Sequence, residues 1–194
     1  MKFLVLYLLI LLALRKDSSH DDPELLLSIK SGDHKAFKTF FDKHHSFLYH
    51  FLLKKGMSEQ QAEDLVQQAF VLIWEKRSEI DPQKSLRAYL FRIAYTRMLN
   101  VIRDHSKFDG NIETIEKESS EEADSSIQNR ELADAIETAI QSMPEKRQTV
   151  FRLCFIQEFT YKDAAEVLDV SVKTVENHMG LALKELRGKL EGFR

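Results

Sequence analysis

Residues 160–186 read TYKDAAEVLDVSVKTVENHMGLALKEL, two stretches of helical periodicity broken once, at Asp169-Val170. The spacing is that of a helix-turn-helix: small Ala165 where two helices must cross closely, Leu168 before the turn, and Val170 and Val175 expected to plug the space between them. Thr160 and Ser171 stand where helix N-caps are needed, because their hydroxyls can accept from the orphan amides of a first turn. Asp169 occupies the position where glycine is usual. Aspartate tolerates the left-handed backbone better than most residues, so the turn remains possible. An ordinary helical hairpin shares this periodicity, and the stretch by itself leaves that alternative open.

If the motif is genuine, its second helix enters a major groove with its N-terminal side chains foremost. Ser171, Lys173, Thr174, Glu176, Asn177 and His178 are then the contact set. Lys173 and Thr174 suit phosphates, Asn177 and His178 reach toward base edges, and Glu176 is a match for a cytosine amino group. The bland reading of the same residues is a solvated helix face.

Working outward, helices are predicted from Arg130 to Ser142, from Glu145 to Gln157 after the Met143-Pro144 break, from Lys162 to Leu168, and from Ser171 to Leu190. Upstream, residues 106–129 lose periodicity in favour of Glu, Ser, Asp and Asn. Such a segment buries too little apolar surface to offset chain entropy and reads as a flexible acidic linker. Before it lies a second periodic region. Asp22-Pro23 opens a helix that runs to Gly32, and His34–Lys55 follows, with Phe37, Phe40, Phe41, Phe47, Leu48, Phe51 and Leu52 at mostly three-and-four spacing and Gly56 as its left-handed cap. Ser58 to Gln61 is a capping box for a helix through Arg77 that buries Ala62, Leu65, Val66, Ala69, Phe70, Ile73 and Trp74. A helix from about Ser85 to His105 points Leu86, Leu90, Ile93, Ala94, Met98, Val101 and Ile102 inward.

On that last helix Tyr89, Arg92, Thr96, Asn100 and Arg103 recur every three or four residues, with Arg87, Arg97 and Lys107 adding charge beside them. Arginines track phosphates while an aromatic or amide group stacks on or bonds to an unpaired base, a combination suited to single-stranded or melting DNA. The preceding loop, Lys76 to Lys84, is placed to close over a base turned out of the stack. A merely solvated face is the competing account.

Composition agrees with an all-α chain of two small helical bundles. Six glycines and three prolines in 194 residues are too few for a β-sandwich or for a series of phosphate-cradling loops. The net charge of -3 argues against a nucleic-acid binder until the charge is mapped: Lys84 to Lys107 is basic and Asp109 to Asp124 acidic. The single cysteine, Cys154, reads as a core residue; it allows no disulfide within the chain and suits a reducing, cytoplasmic setting. The expected divisions are 1–20, an apolar extension; 21–107, the first bundle; 108–129, the linker; and 130–194, the second bundle.

The extension holds the unbroken run FLVLYLLILLAL, Phe3 to Leu14. It is short for a membrane span, resembles a signal-peptide core, and lacks a small-x-small cleavage site before Ser18 and Ser19. A start codon placed too far upstream, a dispensable extension and a true anchor remain open.

Together the stretches SGDHKAFKTFFDKH, AEDLVQQAFVLIWEKR, SLRAYLFRIAYTRMLNVIR and MPEKRQTVFRLCFIQEFTYKDAAEVLDVSVKTVENH resemble the sigma-70 family of RNA polymerase sigma factors. The likeness is to the small extracytoplasmic-function group that keeps only conserved regions 2 and 4, and it covers about 24–107 and 131–190. It implies that Asp64, Gln67, Gln68, Val71 and Leu72 dock on the clamp helices of the polymerase β′ subunit, and that the β subunit is also engaged. It further implies that Arg87, Tyr89, Arg92, Thr96, Arg97, Asn100 and Arg103, with the loop before them, melt and read the −10 element, while the helix-turn-helix reads the −35 element as duplex promoter DNA. The implied protein is no enzyme and takes no cofactor, metal or small-molecule substrate, and an anti-sigma protein, often membrane-bound in the family, is an expected partner. Departures are plain. Glu176, His178 and Leu181 stand where Arg or Lys is frequent, Thr96 where Asn is common, Tyr89 where Trp is frequent, and the apolar run has no family counterpart.

Three other classes are set beside this. A simple repressor or response-regulator-like protein would use the helix-turn-helix without a polymerase-binding domain. A tethered or exported interaction protein rests on Phe3 to Leu14 alone. A metal enzyme would draw on His34, His44, His45 and His50 with Glu59 or Glu63, but no acidic cluster at ligand spacing completes a shell, and surface histidines are the simpler reading.

Overall fold

A computed structural model describes residues 22–108 and 135–190 of the chain. The apolar run Phe3 to Leu14, the acidic stretch beyond residue 108 and the expected helix start at Arg130 lie outside the described residues. What is described is helical and falls into two units.

The first unit holds α1 (Pro23–Lys30), α2 (His34–Lys54), α3 (Glu59–Glu75), a 3-10 turn (Arg77–Glu79) and α4 (Leu86–Phe108). Each boundary has a local cause. The carboxylate of Asp22 accepts from the Glu24 amide at 3.0 Å with Pro23 in the first turn, and Asp33 caps α2 through the Lys35 and Ala36 amides at 2.7 and 3.3 Å. Gly56, at φ +87°, ends α2 and lets the Met57 amide return to the Leu52 carbonyl at 3.2 Å. The capping box at α3 is reciprocal: the Gln61 amide donates to the Ser58 hydroxyl at 3.2 Å and the Ser58 amide to Gln61 Oε1 at 2.9 Å.

Phe40, Leu48 and Leu52 of α2, Ile73 of α3, and Leu90, Phe91 and Met98 of α4 are fully buried. Each such side chain contributes about 1.5–3 kcal/mol by leaving water, which is what holds helices α2, α3 and α4 in one bundle. The expected stripe of α3 is buried from Ala62 to Ile73, with Trp74 half-buried. Phe47 departs from expectation: it lies at the edge of the inward arc of α2 and is 54% exposed. His44 departs in the other sense, being buried with its ring edge-on to Phe40 at 4.6 Å.

In the second unit a helix over 135–141 is followed by α6 (Glu145–Phe151), α7 (Tyr161–Leu168) and α8 (Val172–Leu190), the 135–141 helix being α5. The expected continuous helix to Gln157 widens instead into a π turn over Arg152–Ile156. Phe151 before it and Leu153 and Cys154 within it are all buried. Past it the Phe159 amide bonds the Leu153 carbonyl at 3.0 Å, and Glu158 takes φ +57°. Arg147 on α6 meets Glu185 on α8 at 2.6 Å, and Arg152 grips Glu137 of α5 through both guanidinium branches. Among the described residues no helix is long and apolar enough to cross a membrane.

Candidate nucleic-acid interface

The helix-turn-helix is built as its sequence demands. Thr160 caps α7, accepting from the Asp163 amide at 3.1 Å and donating to the Asp163 carboxylate at 2.7 Å. Ala164 and Ala165 are buried where larger side chains would hold the helices apart. Asp169 turns the chain at φ +54°, and the Val170 amide bonds back to the Ala165 carbonyl at 3.0 Å. Ser171 then caps α8 through the Thr174 amide at 3.1 Å. Val175, Met179, Ala182 and Leu186 form the buried stripe of α8. Val170 does not plug the core as expected. It is 40% exposed, at a turn whose preceding residue is left-handed, while Val175 is fully buried.

The outward side of α8 begins with Lys173, Glu176 and Asn177 exposed and Thr174 and His178 half-buried. The Ser171 and Thr174 hydroxyls share a hydrogen bond at 2.8 Å, and Lys173 pairs with Glu176 at 3.1 Å. The pair is local and solvent-facing, so it holds neither side chain firmly against a stronger partner. His178 Nδ1 is enclosed without a hydrogen-bond partner, which leaves Nε2 as its remaining polar ring atom. Tyr161, at the start of α7, holds its phenol proton more tightly than usual: burial comes first among the causes, then the nearby Cys154 and Glu176.

On α4 the stripe Tyr89, Arg92, Thr96, Asn100 and Arg103 lies along one side, Tyr89 half-buried and the rest exposed. Arg103 Nη2 donates to Asn100 Oδ1 at 3.0 Å. Leu99, seven residues after Arg92 and so on the same side, joins the stripe at 45% exposure. It belongs to neither the inward set nor the polar stripe expected from the sequence. Arg97 sits at the flank of the stripe and donates to Gln68 Oε1 of α3. Arg87 lies off it, half-buried, with its guanidinium 5.8 Å from the Phe91 ring centroid.

Asp64, Gln67, Gln68 and Val71 share the exposed side of α3, Leu72 half-buried beside them. Val71 is 48% exposed. Amide and carboxylate groups around an uncovered valine make a surface suited to another protein. Of the α2 histidines only His44 is buried; His34 lies 4.5 Å from Trp74, and His45 lies 4.8 Å from Phe41 with Nε2 3.7 Å from Glu63.

The family model for sigma-70 region 2 matches residues 40–108 and that for sigma-70 region 4 matches residues 133–186. The chain is 25% identical over 173 residues to the ECF RNA polymerase sigma factor SigW of Bacillus subtilis, an alignment spanning 84% of this chain and 92% of SigW. It is 28% identical over 183 residues to the RNA polymerase sigma factor CnrH of Cupriavidus metallidurans, covering 88% of this chain and 96% of CnrH. The solved structure of CnrH in complex with the cytosolic domain of CnrY matches with a TM-score of 0.61 at 26% identity, covering 88% of this chain and 97% of that one. The sigma factor RpoE of Bartonella quintana, solved with the anti-sigma factor NepR, shares the fold with a TM-score of 0.63 at 22% identity, covering 82% and 99%.

Proposed function

This chain belongs to the sigma-70 family, in its extracytoplasmic-function group, and from that premise we propose which of its surfaces meets each component of the transcription machinery. It is a promoter-recognising sigma factor that directs transcription initiation, and it is not an enzyme.

The exposed side of α3 with Asp64, Gln67, Gln68, Val71 and Leu72 docks on the β′ clamp helices of core polymerase, the β subunit being a further contact. The α4 stripe of Tyr89, Arg92, Thr96, Asn100 and Arg103, flanked by Arg97, receives the −10 element as it melts. Arg87, on α4 but off the stripe, adds charge beside it. Ser171, Lys173, Thr174, Glu176, Asn177 and His178 meet the −35 duplex. The observation that carries the reading is the α4 stripe itself: two guanidinium groups share one helix side with an aromatic ring, a hydroxyl and an amide, a surface suited to tracking a backbone while engaging unpaired bases.

In this reading the region 2 bundle spans 21–107 and the region 4 bundle 130–194, with 108–129 as the acidic linker between them and 1–20 as an apolar extension to which no role is assigned. The protein works in the cytoplasm, where promoter and polymerase are. A membrane-bound protein that holds it inactive is supported by CnrH, which was solved with the cytosolic domain of CnrY. The test is transcription in vitro: the purified chain with core polymerase and genomic templates yields new start sites that share −10 and −35 sequences. New starts without shared upstream sequences overturn the reading.

A further inference from the structure

The segment between α3 and α4 has little regular structure of its own beyond one 3-10 turn, yet it is held at two points, once by α1 and once by Trp74 of α3, against which the start of α2 packs. At the first, the Lys30 ammonium, in the last turn of α1, donates to the backbone carbonyl of Ile80 at 2.8 Å in a partly buried contact. At the second, the Arg77 guanidinium lies 4.5 Å from the Trp74 ring centroid while its Nη1 donates to the Trp74 carbonyl at 2.8 Å. His34 and Phe37 approach the same indole at 4.5 and 4.9 Å. Arg77 passes close to Gly32, where a Cβ would stand 3.6 Å from its Nε; Gly32 itself takes φ +92° to turn the chain from α1 into α2.

Between these pins and α4 the backbone is fixed by short bonds. Ile80 points inward and is 8% exposed. Asp81 Oδ1 accepts from the Gln83 amide at 3.0 Å, and the Asp81 carbonyl accepts from the Lys84 amide at 3.0 Å. The Ser85 hydroxyl caps α4 through the Ala88 amide at 3.0 Å. Lys76, Ser78, Glu79, Asp81, Gln83 and Lys84 remain exposed on this held backbone. A loop with a shape set in advance binds without paying ordering entropy at the moment of contact.

We propose that Lys30 is a positioning residue, holding the Lys76–Lys84 segment through the Ile80 carbonyl in the shape with which it receives an unstacked base of the −10 element. The inference rests on the assignment of α4 and this segment to that element. A charged donor on a backbone carbonyl is suited to the task, since it fixes the chain path without occupying the exposed side chains that meet DNA. Lys30 touches no DNA itself.

The test uses full-length chain assembled with core polymerase, on single-stranded non-template oligonucleotides from a mapped promoter, with 2-aminopurine placed at each −10 position in turn. Lys30→Met keeps the stem and removes the donor; Lys30→Arg restores a charged donor. The expected result is a loss of about fivefold in oligonucleotide affinity for Lys30→Met, with the fluorescence gain lost at one position only. Core-polymerase affinity and −35 duplex binding stay unchanged, and Lys30→Arg recovers most of the loss. Unchanged affinity and fluorescence overturn the proposal. So does a parallel loss of core binding, −35 binding and melting temperature, which would make Lys30 a general packing residue. If the unsubstituted holoenzyme shows no base preference in the −10 strand at all, the assignment of α4 fails, and the proposal falls with it for that separate reason.

Discussion

Arg97 of α4 donates a hydrogen bond through Nη1 to Oε1 of Gln68 on α3, so a residue assigned to promoter DNA and one assigned to polymerase hold each other at the surface of the first bundle. The contact is exposed, which limits its strength, since a guanidinium in water loses little when one acceptor leaves. Its consequence is coupling. Gln68→Ala and Arg97→Ala are expected to be non-additive by about 0.5–1 kcal/mol in −10 strand binding by the assembled holoenzyme. A double-mutant cycle measures this directly, and strict additivity would show that the contact carries no energy.

Arg92 is the first arginine of the α4 stripe and belongs to the bundle assigned to melted DNA. Arg92→Ala is expected to slow open-complex formation, read by permanganate reactivity, about tenfold or more while leaving −35 duplex binding within twofold. Equal losses in both assays would contradict the division of labour between the two bundles.

Asp169 turns the helix-turn-helix at φ +54°. Glycine adopts that backbone without strain, whereas a β-branched residue clashes there. Asp169→Val is expected to destabilise the second unit by about 1–2 kcal/mol relative to Asp169→Gly, seen in urea midpoints. Equal midpoints for the two variants would mean that the turn is not left-handed in solution.

Tyr161 supplies a pH dependence. Its phenol is raised above the ordinary 10.0, chiefly by burial. The folded protein therefore keeps the proton when the unfolded chain has begun to release it. Below pH about 10 the group is neutral in both states and its burial is undisturbed; as pH rises beyond that value the unfolded state gains stability and the fold loses it. The expected outcome is a steeper alkaline fall in urea midpoint for the natural protein than for Tyr161→Phe, and a late-ionising tyrosine near 295 nm that disappears in the variant. Identical alkaline slopes would contradict the burial argument.

What was legible in the sequence is what depends on neighbours along the chain. The Ser58–Gln61 capping box, the Thr160 and Ser171 caps, the left-handed Gly56 and Asp169, and the buried stripe from Ala62 to Ile73 are all set by residues within one or two turns. The all-α class with two units followed from them. Val170 was misread because exposure at a turn depends on the direction in which the chain leaves it, and Phe47 because it lies at the edge of an arc that periodicity draws too sharply. The π turn at Arg152–Ile156 arises from how the second core is filled, and no local residue announces it. Leu99 kept an exposed place that its composition did not suggest. The Gln68–Arg97 and Lys30–Ile80 contacts join residues far apart in sequence and became visible only in the folded bundle.

Everything assigned to α3 reduces to one measurement, the binding of the purified full-length chain to core RNA polymerase by co-elution and by titration. A one-to-one complex is expected, weakened by substitutions at Asp64, Gln67 and Val71 and indifferent to substitutions at Lys173 and Asn177. A chain that never associates with core polymerase, however well its C-terminal helices bind duplex DNA, would contradict the account.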